Sequence, residues 1–116
     1  MIISLSKEIP SRNAVDKLHW AKKMRLRSEW EWEIVSALVG KVKQHLATGP
    51  RRMKITSIRK RRLDLDNLWG GVKQLVDACK MLKLILDDSP AYLRLECEQK
   101  IQKIGAGTII EIEDEI

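Results

Sequence analysis

The chain of 116 residues lacks any apolar run close to the roughly 20 residues that a membrane-spanning helix needs. Its N-terminus lacks a basic start followed by a long apolar block, so no secretory signal is predicted. The two cysteines, Cys79 and Cys97, have no metal-ligand spacing, which favours buried thiols in a reducing cytoplasm. With 44% hydrophobic and 33% charged residues, the composition predicts a single globular, cytoplasmic domain.

One stretch of the chain lacks acidic residues altogether. Residues 51–62, "RRMKITSIRKRR", contain seven bases and no acid, whereas the last six residues contain four acids and no base. Of 22 bases and 16 acids in all, residues 1–110 therefore hold 22 bases and 12 acids, a net charge of +10. Such a basic cluster is typical of a nucleic-acid binder, and it is also typical of an edge strand whose charges prevent aggregation.

Hydrophobic periodicity predicts the order β-α-β-α-β-β, an α+β fold with a mainly antiparallel sheet and helices on one face. The predicted elements are strands over 2–6, 52–61, 91–101 and 108–113 and helices over about 29–46 and 67–84. The last two strands are expected to pair as a hairpin about the "GAG" at 105–107. Ser28 and Glu31 match a capping box, and Gly49 fits the helix C-terminus. Residues 14–27 fit either a helix or a loop.

Acidic residues gather directly after the basic strand, in "RRLDLDNLWGG" at 61–71. If 64–66 is extended, the carboxylates of Asp64 and Asp66 point to the same side. A second pair, Asp87 and Asp88, follows the predicted helix, and roughly 18 helical residues span about 27 Å. The two pairs meet only if the helix starts later or bends, or if a second chain supplies one of them.

Grouped carboxylates beside bases predict a Mg²⁺ site in a nuclease, because such an ion activates water and stabilises the leaving oxygen of a phosphodiester. The structural alternative makes Asp66 a helix N-cap and "DDSP" a turn. A calcium-binding EF-hand is excluded, since positions five, six and twelve counted from Asp64 are Leu68, Trp69 and Leu75.

Lys73 and Asp77 follow Asp66 by seven and eleven residues, which returns them to within roughly 20° of its direction on a helix. A lysine there can stabilise charge on a phosphate in the transition state, or it can form an ion pair with Asp77. Gly70 and Gly71 are unfavourable inside a helix, and they predict the close approach of a DNA backbone at this helix start.

The segment "RRLDLDNLWGGVKQLVDACKMLKLILDDSP" resembles the core of the RusA family of Holliday-junction resolvases. The shared pattern is Asp-x-Asp-Asn-Leu, a helical lysine, a later aspartate and Asp-Asp before a strand, and it covers residues 62–90 most specifically. A softer similarity in "PSRN", His19, the basic segment after it and the C-terminal hairpin extends over most of the chain. The best-known members carry the lysine where this chain has Gly70, so Lys73 aligns after a three-residue insertion at "WGG".

The resemblance implies a small homodimeric endonuclease that binds four-way DNA junctions and nicks two opposed strands symmetrically, in recombination and repair. It implies Mg²⁺ as the cofactor, with Mn²⁺ as a substitute ion, and neither a membrane nor a small-molecule cofactor. The implied metal-binding carboxylates are Asp64, Asp66 and Asp88 with Asp87 as their neighbour, and Lys73 is the implied catalytic lysine. The predicted DNA contacts are Arg51, Arg52, Arg59, Lys60, Arg61, Arg62, Asn67, Asn13 and His19.

Three further expectations accompany the nuclease interpretation. Trp69 is predicted to be buried in the dimer rather than wedged into the junction centre. His19 is predicted to make a polar contact rather than to act as a catalyst. The alternative functions are a protein of the same fold that binds junctions without cleaving them, and a basic adaptor whose aspartates are only caps and turns.

Overall fold

The computed structural model describes residues 1–115 and confirms an α+β fold built on one four-stranded sheet. Its elements in chain order are β1 (Ile2–Leu5), α1 (Arg12–Asp16), α2 (Trp20–Ala37), a 3₁₀ turn (Val42–His45), β2 (Arg51–Arg59), α3 (Leu65–Gly71), α4 (Lys73–Met81), β3 (Leu93–Ile101) and β4 (Gly107–Asp114). Within residues 1–115, every helix is too short or too polar to span a bilayer.

The sheet is mixed, with the strand order β1-β4-β2-β3. Strand β4 runs antiparallel to both β1 and β2, whereas β3 runs parallel to β2. The predicted hairpin of β3 and β4 is therefore wrong, because β2 lies between them. Alternating apolar residues identify a strand but not its partner. Residues 102–106 carry the chain past the end of β2, where the Gln102 N–H donates to the Arg59 carbonyl at 3.0 Å.

The core lies between one face of the sheet and the helices α2 and α4. Met53 and Ile55 of β2 are paired with Ile112 and Ile110 of β4, and all four side chains are buried beside Trp30 of α2. Because neighbouring residues of a strand point to opposite faces, the residues between these positions form the other face of the sheet. The helices thus cover one face, as the sequence predicts.

The uncovered face of the sheet carries charged side chains in cross-strand pairs. Arg52 donates to Glu113 at 2.8 Å, and the Lys54 ammonium lies 3.1 Å from a Glu98 carboxylate oxygen. Part of the basic run therefore lies on a solvent-facing sheet surface where acids from β3 and β4 neutralise it.

Helix α2 begins and ends earlier than predicted. His19 is its N-cap, with Nδ1 accepting a backbone N–H at 3.4 Å, so Ser28 lies in mid-helix and not at a cap. The helix ends where Val39 (φ +53°) and Gly40 (φ +74°) adopt the left-handed conformation, and the Gly40 N–H donates to the Val35 carbonyl at 3.0 Å. The predicted end at Gly49 is wrong because this left-handed turn stops the helix about ten residues earlier.

The second predicted helix is divided into α3 and α4, which meet at Val72. It starts at Leu65 rather than 67, and α4 ends at Met81, where Lys83 (φ +60°) takes the left-handed conformation. The helical spacing of six apolar residues predicts one buried stripe along this helix. Five of them, Leu68, Val72, Leu75, Val76 and Cys79, are buried, and the sixth, Leu82, is partly buried.

Candidate functional site

Asp64, Asn67 and Asn13 connect the start of α3 to α1. Both carboxylate oxygens of Asp64 accept from Asn67, Oδ1 from its backbone N–H at 2.9 Å and Oδ2 from its Nδ2 at 3.2 Å. Asn67 Oδ1 in turn accepts the backbone N–H of Asn13 at 3.1 Å. The condition under which the Asp64 and Asp66 carboxylates point to the same side, an extended 64–66, is not met, because the helix already begins at Leu65. Asp64, and not Asp66, is the N-cap.

The two glycines of α3 pack against the chain itself. A Cβ atom at Gly71 would overlap the carbonyl oxygen of Pro10, and one at Gly70 would overlap the methylene groups of Arg12. Gly71 is also buried. These glycines therefore allow α3 to lie against the segment that leads into α1. The prediction that they admit a DNA backbone is wrong for buried Gly71 and stays a prediction for Gly70, which is partly exposed and lines a groove.

Lys73, Asp77 and Asp88 line one groove between α4 and β3, which is an edge strand of the sheet. The rest of the lining, mostly apolar, consists of Trp69, Gly70, Val72, Val76, Leu93 and Leu95 around a volume of about 330 Å³. Trp69 remains 43% exposed in the protomer, so burial predicted for the dimer is not reached within one chain. The groove combines a cation and two carboxylates on a partly apolar wall.

Asp88 reaches this groove because the chain folds back after α4. Leu84 and Ile85 are buried directly after the helix ends, which holds the returning segment against the core. Asp88 consequently lies beside Lys73 and Asp77 in the middle of the helical stretch, and not beyond its far end. The separation inferred from a straight helix of 18 residues thus does not apply to Asp88.

Asp66 lies one helical turn before Gly70, and residues four apart share a helix face. The groove lining includes Gly70 but not Asp66, and α3 and α4 are separated at Val72, so the row predicted for one continuous helix through Asp66, Lys73 and Asp77 does not place Asp66 in the groove. Asp66 is exposed. Asp77 is the groove residue to which sequence reasoning assigned no role at the site, although its place on this row was the available signal.

Asp87 is not part of the groove lining. Lys80 donates to its carboxylate at 2.8 Å, and this hydrogen bond, with a second from Ser89, lowers the pKa of Asp87 to about 2. Asp88 lies farther from the same ammonium, at 4.0 Å. The two neighbouring aspartates thus differ, because Asp87 is paired with Lys80 while Asp88 lines the groove.

The predicted metal ligands are not gathered into one cluster. Within residues 1–115, no group of three or more His, Cys, Asp or Glu side chains is placed to hold a metal ion. The groove offers two carboxylates, Asp77 and Asp88. Mg²⁺ often binds through one or two carboxylates and keeps its remaining ligands as water, so this pair fits Mg²⁺ and not a closed structural metal site.

Arg51 and Arg59, at the two ends of β2, are used within the fold. Arg51 donates to two loop carbonyl oxygens at 2.6 and 2.8 Å and to Asp114 at 2.9 Å. Arg59 donates to the carbonyls of Ile9 at 2.8 Å and Arg61 at 2.9 Å. Only 11% of either side chain is exposed. Both were predicted DNA contacts, and their burial contradicts that role.

Lys60, Arg61 and Arg62 are three consecutive exposed bases at the end of the basic run. They form the connection from β2 to α3, whose next residue, Leu63, is held on both sides by Gln99. The Gln99 side chain accepts from the Leu63 N–H at 2.8 Å and donates to its carbonyl at 2.9 Å. The three bases are thus presented to solvent from an anchored loop immediately before Asp64.

His19 and Asn13, the remaining predicted DNA contacts, lie in the N-terminal segment. The His19 ring caps α2 and lies 5.6 Å from the Trp20 ring, which agrees with a polar role and gives no sign of catalysis. Asn13 uses its backbone N–H in the contact with Asn67 and is otherwise exposed.

Comparisons with protein-family models, with curated proteins and with solved structures find no match to this chain, so the resemblance to the RusA family is carried by the motif alone.

Proposed function

We propose that this chain is a Mg²⁺-dependent, structure-selective DNA endonuclease that nicks four-way junctions, as its resemblance to the RusA family implies. The observation that supports it best is the groove shared by Lys73, Asp77 and Asp88. All three residues belong to the motif, and the two farthest apart, Lys73 and Asp88, are fifteen positions apart in the sequence. A partly apolar wall with a few convergent polar groups is typical of a ligand-binding site.

Each group in the groove has a role in the proposed reaction. Asp88 and Asp77 would hold the ion, which would lower the pKa of its water and stabilise the leaving oxygen. The Lys73 ammonium would donate to a phosphate oxygen, where negative charge grows in the transition state. Asp66, exposed in the first turn of α3 between the basic loop and Trp69 of the groove, adds a further carboxylate.

The basic loop of Lys60, Arg61 and Arg62 supplies the contact to the DNA backbone. Phosphate contacts position a nucleic acid without reading its sequence, which suits an enzyme that recognises a junction by shape. Because the loop directly precedes α3, a strand held by these bases passes close to Asp66 in the first turn of that helix.

A junction-binding protein without cleavage is the second candidate, and specific contacts favour it. Both oxygens of Asp64 accept from Asn67, and Asp87 is paired with Lys80. Two of the four implied metal carboxylates are thus occupied within the fold. Such a protein would keep the basic loop and lose the reaction.

Cleavage of a labelled synthetic four-way junction tests the proposal. The protein should produce symmetric nicks in Mg²⁺, none in EDTA, and none on linear duplex of the same sequence. Asp88→Asn and Asp66→Asn should abolish the nicks and retain junction binding, while Glu96→Gln, an exposed carboxylate on the opposite face of β3, should leave them unchanged. Junction binding with no nicks in either Mg²⁺ or Mn²⁺ would establish the second candidate instead.

The salt dependence of binding tests the role of the basic loop separately. Each phosphate neutralised contributes roughly 0.9 to the slope of log K against log salt. Replacing Lys60, Arg61 and Arg62 together by alanine should therefore reduce that slope by about 2 to 3 for each bound protomer. Arg52→Ala is the control, because Arg52 is already paired with Glu113 and should change the slope little. No preference for junction over duplex would favour the basic adaptor.

A further inference from the structure

Helix α2 has a second apolar surface that faces solvent. Its inner face buries Leu26, Trp30 and Ile34, at a spacing of four residues. On the outer face, Trp32 is 71% exposed and Met24 is 47% exposed. At 100° per residue these two side chains lie on opposite sides of Ser28, about 120° (Met24) and about 160° (Trp32) from Trp30. Tryptophan, methionine and arginine are the residue types enriched at the surfaces by which proteins bind one another.

The two halves of α2 carry opposite charge. The first half, up to Arg27, contains four bases and no acid: Lys22, Lys23, Arg25 and Arg27. The second half, from Ser28, contains three acids and no base: Glu29, Glu31 and Glu33. The change of sign falls at Ser28, which is also the centre of the exposed apolar surface. A helix with this pattern is complementary to a second copy of itself in the antiparallel direction.

The outer surface of α2 also contains a recess at its centre. Arg25, Ser28, Glu29 and Trp32 line it, together with Lys7 and Glu33, around about 340 Å³. The first four are at positions i, i+3, i+4 and i+7, the arrangement of four residues that receives one side chain of a partner in coiled-coil packing. Ser28 is small, so a second helix can approach closely at this point.

We propose that α2 is the dimer interface, packed antiparallel against α2 of a second copy about a two-fold axis near Ser28. A two-fold interface is formed by the same surface on both subunits, which a helix with opposite charges in its two halves satisfies. The axis places Met24 against the partner subunit's Trp32, and Lys22 and Arg25 against the partner subunit's Glu33 and Glu29. Nucleic acid fits this surface less well, because three acids surround Trp32.

Sedimentation velocity of charge-reversal variants tests the interface. The wild-type chain should sediment with twice the mass of one chain at micromolar concentration. Lys22→Glu with Arg25→Glu makes the exposed helix acidic, and Glu29→Lys with Glu33→Lys makes it basic, so each variant alone should be monomeric. An equimolar mixture of the two should recover the dimer, because each acidic helix then meets a basic one.

A charge-matched control distinguishes this interface from a general effect of altered net charge. Arg94→Glu with Lys100→Glu makes the same charge change on the exposed sheet face and should remain dimeric. A wild-type chain that is monomeric throughout the micromolar range would overturn the proposal, and so would a mixture that stays monomeric. Loss of junction binding in the Trp32→Ala variant with an unchanged dimer would also overturn it, in favour of a nucleic-acid surface. None of these measurements depends on nuclease activity.

Discussion

Replacing Gly71 by alanine should destabilise the fold by about 1–2 kcal/mol. The added Cβ would overlap the Pro10 carbonyl oxygen, a backbone atom that cannot move without displacing the segment before α1. Overpacking of this kind costs about 1–3 kcal/mol, and alanine returns about 0.5–1 kcal/mol because it is the better helix former. The net effect is therefore a loss of folding stability.

Gly70→Ala is the matched control at the neighbouring position. Its Cβ would overlap Arg12 Cγ and Cδ, which can turn away because 56% of that side chain is exposed, and also Arg12 Cβ, which moves only with the backbone of α1. The gain in helix propensity offsets part of this overlap, so we expect a smaller loss than in Gly71→Ala, between zero and about 1 kcal/mol. The two substitutions are chemically identical, so the difference in size isolates the contact of Gly71 with the Pro10 backbone.

Urea unfolding followed by circular dichroism measures both variants, with thermal unfolding as a second readout. A change of 1 kcal/mol corresponds to about 4–8 °C in Tm for a domain near this size. Equal stability of the Gly71→Ala variant and the wild type would refute the reasoning. If Gly70→Ala instead lost junction affinity at unchanged stability, the result would indicate that Gly70 allows DNA to approach α3.

The structure predicts the direction of three further effects on stability or thiol reactivity. Asp64→Ala removes the N-cap of α3 and should cost about 1 kcal/mol in urea unfolding, and an unchanged midpoint would contradict the capping role. Val39→Gly and Lys83→Gly each relieve a left-handed conformation that costs a non-glycine residue roughly 1–2 kcal/mol. The larger conformational entropy of glycine in the unfolded chain offsets about 0.5–1 kcal/mol of this gain, so each variant should have a higher Tm. A lower Tm in both variants would contradict the prediction. Burial raises the pKa of Cys79 and Cys97 to about 12, and because Cys79 is buried whereas Cys97 is partly exposed, DTNB at pH 8 should label at most one thiol of the folded chain and both on unfolding. Because the folded pKa lies above the unfolded one, stability should fall as pH rises from about 9 toward 12, and rapid labelling of both thiols without denaturant would contradict this.

The strands and the apolar stripe of the second helix were predictable because they depend on local periodicity. Leu68, Leu75 and Cys79 recur at helical spacing, and all three are buried. Strand pairing was not predictable in the same way. Apolar and polar residues alternate in both β3 and β4, but this alternation does not indicate with which strand each of them forms hydrogen bonds. The parallel pairing of β2 with β3 follows from packing across the whole sheet, and no short segment encodes it.

The ends of α2 show a second limit of local patterns. Ser28 and Glu31 satisfy a capping box and nevertheless lie inside the helix, while Val39, a β-branched residue that disfavours the left-handed conformation, stands where the helix ends. A capping pattern of only two residues occurs at many places in a chain where no helix begins. Only the packing of Trp30 and Ile34 on the core fixes which turns of the helix exist.

Charge counting overestimated the surface available to DNA for a comparable reason. Arginine is the residue best suited to reach several carbonyl oxygens at once, and Arg51 and Arg59 do so at the two ends of β2. A basic run in the sequence does not distinguish guanidinium groups that tie loops together from those that remain in water. In this fold, the bases of the connection before α3 are in water, and those at the strand ends are not.

Some motif residues also stabilise the fold, and this determines which substitutions can report on function alone. Asp64 belongs to the motif and also caps α3, so loss of activity in an Asp64 variant would not separate a metal ligand from a helix cap. Asp88 and Asp66 are exposed, and neither caps a helix. Replacing either by asparagine retains shape and removes charge, so a loss of cleavage at unchanged stability would report on chemistry. Asp66 and Asp88, and not the capping residue Asp64, therefore carry the decisive measurement.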